Sequence, residues 1–310
     1  MAQPPTEIVK NSESQCFLSN QMIWEHQTGL PSPLLEGQVY RYEGYITNTD
    51  QPLYYLGLPR DHIIIVLSFG NTIEFNHLQT KFKSRKYQSV LVGLNTNPLI
   101  ATLTGTRCCI EVRMHPSIAF RVLEKNPIDL AVGPINLEEI WHTDLCYLTQ
   151  RLEKSASWQE RFDYIDEYLL KKLQTSQRKM RPEIEWAWNQ LEAQHGNISI
   201  QKLVEQVGWS HRYFNQCFRK YIGITPKLAA RRIRFVHAHQ LLTENYCDLV
   251  TVATTCNYSD QSHLTREFHQ FSGFSPATYQ NLCLTHPFSV PASLFNQKTN
   301  SILINPIVNN

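Results

Sequence analysis

The feature that most constrains this chain is a stretch that occurs twice. From Leu203 to Ala230 the sequence reads LVEQVGWSHRYFNQCFRKYIGITPKLAA, and fifty positions later, from Ala253 to Gln280, it reads ATTCNYSDQSHLTREFHQFSGFSPATYQ. Aligned without gaps, Phe214 falls on Leu264, Phe218 on Phe268, Tyr221 on Phe271, Gly223 on Gly273 and Pro226 on Pro276. In each copy apolar residues recur at i, i+4 and i+7, the spacing of one helical face packed on a core. Ser210 and Asp260 suit the N-cap, where a side-chain oxygen accepts from the first free backbone N–H groups. Gly223 and Gly273 suit a left-handed C-cap. Thr225-Pro226 and Ser275-Pro276 then read as a cap and the first residue of a further helix, where proline's missing donor costs nothing. A shorter apolar run precedes each capped helix (Ile200, Leu203, Val204, Val207; then Leu249, Val252, Ala253, Cys256), with Ser199 and Asp248 as its caps. Short helix, turn and second capped helix make a helix-turn-helix, the arrangement that sets a second helix in the DNA major groove.

Charge decides between a packing repeat and a nucleic-acid reader. No Asp or Glu occurs between Glu205 and Glu244, whereas Arg212, Arg219, Lys220, Lys227, Arg231, Arg232 and Arg234 do, in a chain of net charge only +2. A basic run is commonly just a solvated face. One confined to a helix-turn-helix and the helix after it is the footprint of phosphate contact. Burial of Phe214, Phe218 and Tyr221 turns Arg212, Asn215, Gln216 and Arg219 outward, and burial of Leu264 and Phe268 does the same for Gln261, Ser262, Thr265 and Arg266. Arginine pairs with guanine O6 and N7, and Asn or Gln with adenine N6 and N7. Arg219, Lys220, Arg231, Arg232 and Arg234 are assigned to phosphates; five such contacts would give a log–log salt slope of about −4.5. His211, His263 and His269 have no carboxylate or cysteine partner at ligand spacing and are read as surface or phosphate contacts, so no metal is expected.

Residues from about Glu183 to Leu282 resemble the AraC/XylS-type DNA-binding domain, two helix-turn-helices joined by a long helix. The resemblance rests on GWS-x3-F-x3-F at Gly208 to Phe218, G-x-T-P at Gly223 to Pro226, the arginine-rich helix ending in Leu241-Leu242, and YSDQSHLTREF at Tyr258 to Phe268 followed by G-x-S-P. One departure is Asn257, where the family usually has glycine; asparagine is the next-best residue at positive φ. The resemblance implies a sequence-specific transcription regulator, an activator more than a repressor. Arg212, Asn215, Gln216, Gln261, Ser262, Thr265 and Arg266 occupy its base-facing positions. It implies double-stranded promoter DNA as partner and RNA polymerase as a second one, and leaves a small-molecule effector and a homodimer open. The joining helix, Pro226 to Leu242, would be about 25 Å long, against roughly 34 Å between successive major-groove segments on one face of DNA. Either the DNA bends or only the first unit docks fully. The alternative function is a helix-turn-helix protein-interaction or dimerisation module with only non-specific DNA affinity.

The remaining chain reads as an α+β sensor-like or dimerisation domain, residues 1–181, ahead of an all-α DNA-binding domain, residues 182–283, with helix-turn-helix units at 199–221 and 248–271. A tail, 284–310, rich in Pro, Ser and Asn, is expected to be loosely ordered, with Ser301 to Val308 able to pair as a strand. Short Val-, Ile-, Tyr- and Phe-rich runs predict antiparallel strands over Val39–Ile46, His62–Phe69, Thr72–His77, Gln88–Leu94, Leu99–Leu103 and Cys108–Met114, a small sheet or barrel-like layer. Helical spacing follows over Ser117–Glu124, Leu137–Leu152 and Ser157–Leu173, the last two an antiparallel pair that covers the sheet or makes a dimer contact. Gln174 to Arg181 is polar and basic and reads as a linker. Arg41, Glu43, Arg60, His62, Glu111 and Arg113 lie in or beside strands, facing either a pocket or solvent; no ligand site or cofactor is named from them. The eight cysteines form no C-x2-C pair and read as buried thiols, with Cys108 and Cys109 on opposite faces of a strand. No G-x-S-x-G, H-E-x-x-H or Walker sequence suggests an enzyme. The first residues, MAQPPTEIVKNSESQ, carry no signal-peptide core, and no apolar run nears a membrane span, so a cytoplasmic, prokaryotic, nucleoid-associated protein is expected.

Overall fold

The computed structural model describes residues 7–11, 14–19, 22–77, 85–94, 97–243 and 247–285. Residues 286–310, and with them the strand expected over Ser301 to Val308, lie outside it. Among the described residues, ten strands form one antiparallel sheet: β1 Glu7–Asn11, β2 Ser14–Ser19, β3 Met22–Gly29, β4 Val39–Gly57, β5 Ile63–Ser68, β6 Ile73–His77, β7 Arg85–Tyr87, β8 Val90–Val92, β9 Leu99–Met114 and β10 Ile135–Asn136. They run in the order β1-β2-β3-β4-β9-β5-β8-β10, with β6 joined to β9 and β7.

The spine is the β4–β9 ribbon, paired from Arg41↔Arg113 to Gly57↔Leu99 with a register shift between Thr49 and Leu53. The sequence suggested two strands where β9 is one. Gly105, at φ 75°, lets the strand bend without ending. Its first half then pairs with β6 and its second with β5. The β1–β3 meander was not foreseen, because its short runs are broken up by polar residues. Side chains alternate across β9: Leu99, Ala101, Leu103 and Cys109 share an inner cluster with Tyr45, Tyr55, Val66 and Phe75, while Ile110, Val112 and Met114 face the helices.

That outer face is covered by α1 Pro116–Val122, α3 Glu138–Lys154 and α4 Trp158–Thr175, with a one-turn α2 Pro127–Leu130 between the first two. Leu145, Leu148 and Leu152 of α3 and Phe162, Ile165 and Leu169 of α4 are buried, so the pair covers the sheet. Bare backbone is needed beneath α4. A Cβ on Gly29 or Gly44 would stand 2.3 or 2.4 Å from the rings of Phe162 and Trp158.

Seven further helices follow: α5 Pro182–Ala193, α6 Ile200–Val207, α7 His211–Ile222, α8 Pro226–Thr243, α9 Leu249–Thr255, α10 Gln261–Ser272 and α11 Pro276–Thr285. The segment between α4 and α5 is packed rather than loose. Ser176 Oγ donates to Arg121 O at 2.9 Å, and Arg178 donates to Lys125 O at 2.8 Å while lying over the Phe120 ring. One apolar cluster runs from the sheet through Met180 into α5, α6, α7 and α8. The step at residue 181 from the sheet and its covering helices to the all-helical part therefore lies within a continuous core.

The two halves also meet where α7 ends. Gly223 holds φ 94° as its C-cap, and a Cβ there would sit 2.1 Å from the Pro127 carbonyl oxygen. Gly208, at φ 75°, has nothing within 4 Å of that position. Gly208→Ala should therefore cost about 1 kcal/mol of backbone strain, and Gly223→Ala distinctly more because backbone must also move. Chemical denaturation of both variants checks the order; equal losses would mean that α2 yields freely.

Candidate nucleic-acid interface

Each helix of the two repeats begins with a side-chain cap. Ser199 accepts from Lys202 N at 3.2 Å and Ser210 from Tyr213 N at 3.3 Å. Asp248 accepts from Val250 N and Thr251 N at 2.9 and 2.8 Å, and Asp260 from His263 N at 2.7 Å. Thr225 and Ser275 cap α8 and α11 in the same way. Both turns hold a left-handed residue, Gly208 at φ 75° and, one position earlier in the ungapped register, Asn257 at φ 55°, where asparagine stands in for a glycine. Around the first unit, Phe214 and Phe218 are fully buried and Trp188 of α5 stacks on Phe218 at 6.3 Å. Around the second, Leu264, Phe268 and Phe271 close on Phe235 of α8 and Tyr279 of α11.

On α7, Arg212, Gln216, Arg219 and Lys220 are exposed, while Asn215 is half-buried and donates back to His211 O at 2.9 Å. Arg212, Asn215, Gln216, Arg219 and Lys220 share a cleft whose far wall is Asn126 and Ile128. On α10, Gln261, Ser262 and Arg266 are exposed and Thr265 is half-buried. Arg266 and Gln270 border a second concave surface with Lys227, Arg231 and Arg234 of α8 and the 196–200 turn. Among the described residues no salt bridge engages Arg212, Arg219, Lys220 or Arg266.

The phosphate assignment needs correcting at α8. Arg232 is only 1% exposed and donates through Nη2 to the backbone carbonyl of Arg60 in the sheet half, so it faces inward. Burial lowers its pKa to about 9. Arg231 is engaged too: its Nε lies 2.7 Å from Glu267 Oε2, and Nη2 donates to Gln270 at 2.6 Å. Arg234 is half-buried with its guanidinium 5.4 Å from the Tyr258 ring centre. A helix advances about 100° per residue, so neighbouring arginines cannot all face one partner. Glu267, 5% exposed, was missed from sequence. Its signal was available in the repeat, where the equivalent position holds the buried Cys217.

A family model described as a helix-turn-helix domain matches residues 203–281. This stretch is an AraC-type helix-turn-helix domain. The AraC-type domain is 34% identical over 83 residues to a probable transcriptional regulator, LumQ, of Photobacterium leiognathi, covering 27% of this chain and 34% of that protein. It is 25% identical over 79 residues to the transcriptional activator RhaS of Shigella boydii serotype 18, covering 26% of this chain and 28% of that one. The match thus spans about a third or less of these relatives' own length. Among solved structures, ToxT from Vibrio cholerae aligns with 79% of this chain and 98% of its own at 9% identity and a TM-score of 0.46.

Glu267 holds α10 of the AraC-type domain to α8 through a charged hydrogen bond in a largely buried setting. Glu267→Gln should lower stability by about 1–3 kcal/mol, read from denaturant unfolding. An unchanged midpoint would show that the pair contributes nothing.

Proposed function

We propose that the protein is a sequence-specific DNA-binding transcription regulator, acting as an activator, whose sheet-containing half modulates the AraC-type domain. The observation that carries this reading is the pair of capped helices whose outward faces hold Arg212, Asn215 and Gln216 in one copy and Gln261, Ser262, Thr265 and Arg266 in the other. These are the side chains that read base edges bidentately or through single hydroxyl bonds. Double-stranded promoter DNA is the partner, and polymerase recruitment from a nearby site the mode of action. The activator reading draws on relatives named as activators, RhaS and the virulence regulon activator VirF of Yersinia enterocolitica.

Modulation has a physical route. Leu56, Leu58 and Ile100 of the sheet half belong to the same apolar cluster as Val252, Leu264 and Phe268 of the second unit. Two residues further on, the Arg60 carbonyl holds Arg232. The first unit is touched from another side, by α1 and α2: the Phe120 ring lies 5.1 Å from that of Tyr221, and Asn126 and Ile128 flank the base-facing residues. A displacement in the sheet half therefore reaches both units by separate contacts.

Selection of genomic fragments by the purified chain should enrich sites with a shared motif in two blocks about one helical turn apart; binding with no sequence preference would overturn the reading. Within such a site, Arg212→Ala should weaken binding by about 1–3 kcal/mol and relax one base position, whereas Arg219→Ala should weaken all sequences alike. Equal losses on cognate and random DNA for both variants would refute the division of roles. With Arg231 and Arg232 engaged inside the protein, the phosphate set is left with exposed Arg219 and Lys220 and half-buried Arg234, and the salt slope they contribute should be about −2.7 rather than about −4.5.

A further inference from the structure

The inner face of the sheet lines an open cavity whose empty space, with the solvent in its mouth counted, is about 950 Å3. Most of its wall is apolar, from Leu56, Leu58, Ile73, Phe75, Leu99 and Leu103. Into this wall β9 carries Arg107, opposite Thr47 of β4 and 7% exposed. Its Nε and Nη2 are buried and meet no acceptor among the described residues. A guanidinium stays charged, and a buried charge without a partner is costly.

The neighbouring carboxylates are directed elsewhere. Glu43 is fully buried, with Oε1 2.7 Å from Arg41 Nε and 2.8 Å from Arg113 Nη2. Burial pushes its carboxyl up, but the His26 ring, with Nε2 3.7 Å from Oε2, and the charges of Arg113 and Arg41 outweigh that and leave it ionised, at about 2. Glu111 stands 3.9 Å from Arg113 Nη2; burial raises its pKa, and Arg113 and Arg60 act on it more strongly than Arg107 does. Burial also pushes the Cys109 thiol up to about 11, so it brings no negative charge.

We infer that this cavity binds a small monocarboxylate with an apolar body, its carboxylate paired side-on with Nε and Nη2 of Arg107 and its body against the leucine and phenylalanine wall. The two free donors lie on one edge of the guanidinium, the fork that matches the two oxygens of a carboxylate. A dianion would bring its second charge against Glu111, which lines the same cavity. An uncharged apolar ligand would leave the guanidinium as unpaired as before. The consequence for DNA rests on the regulator reading; the site does not, and its test contains no DNA.

The test is calorimetric titration of the full chain with decanoate, decanol and acetate, alongside thermal melts of the wild type and Arg107→Met. Decanoate should bind saturably, with decanol and acetate each weaker by about tenfold or more. Arg107→Met should bind decanol as the wild type does, lose at least about tenfold in decanoate affinity, and melt no lower than the wild type without ligand, because it removes an unpaired buried charge. Equal affinity for decanoate and decanol in the wild type, or no saturable decanoate binding, would overturn the inference whether or not the variant folds. A variant that melts far below the wild type would also overturn it, since Arg107 would then already have a structural partner.

Discussion

The contact on which the two halves depend is a buried guanidinium donating to a backbone carbonyl, Arg232 of α8 to Arg60 after β4. Burial takes Arg232 far enough out of water to lower its pKa to about 9 against the opposing pull of the Asp61 charge, and the carbonyl offers it a hydrogen bond. Such a group is tolerated only where the surrounding packing fixes it. The packing here is continuous, because Ala229, Ala230 and Ile233 join the core that begins under the sheet, while Phe235, Ala238 and Leu242 join the core of the second unit. Helix α8 is thus more than a spacer between two readers. Successive residues hand it to different neighbours: Arg231 to α10, Arg232 to the sheet half, Arg234 to the Tyr258 ring.

That division explains what the sequence could and could not disclose. Caps, turn glycines and the apolar stripes of α7 and α10 are local: each needs only residues within a few positions, so Ser210, Asp260, Gly223 and Asn257 were readable at once. The same holds for the outward positions Arg212, Gln216, Gln261 and Arg266, whose exposure follows from the burial of Phe214 and Leu264 on the opposite face. The arginines of α8 were legible only as charge. Whether a cation meets phosphate, carboxylate or carbonyl depends on what lies across the fold, and Arg60 precedes Arg232 by 172 residues. Net charge along the helix therefore overstated the number of cations left to face outward.

In the sheet half, local pattern located most strands but not their continuity. A glycine between Leu103 and Cys108 reads as a break, yet Gly105 only bends β9 so that its two halves can pair with different neighbours. Period-two alternation then decides the fate of the polar residues near the cavity. Arg107, Cys109 and Glu111 fall on the inner face because Leu99, Ala101 and Leu103 do. From sequence alone Arg60, His62 and Glu111 could equally have faced solvent; closure of the sheet's inner face over a cavity, a non-local property, places them on its lining.

The cavity and the second helix-turn-helix unit share material, whereas the cavity and the first unit do not. Leu56 and Leu58 present one surface to the cavity and another to the cluster around Phe235 and Phe268. Close-packed interiors change arrangement in discrete steps rather than yielding continuously. Any occupant that moved the 56–60 segment would thus act first on the packing of α9 and α10 and on the Arg232 contact. The first unit, braced by Trp188, would feel it through α8 and, where the cavity wall at Gly93 meets Leu130, through α2. In this architecture the second unit shares its core with the cavity wall, and the first is joined to it less directly.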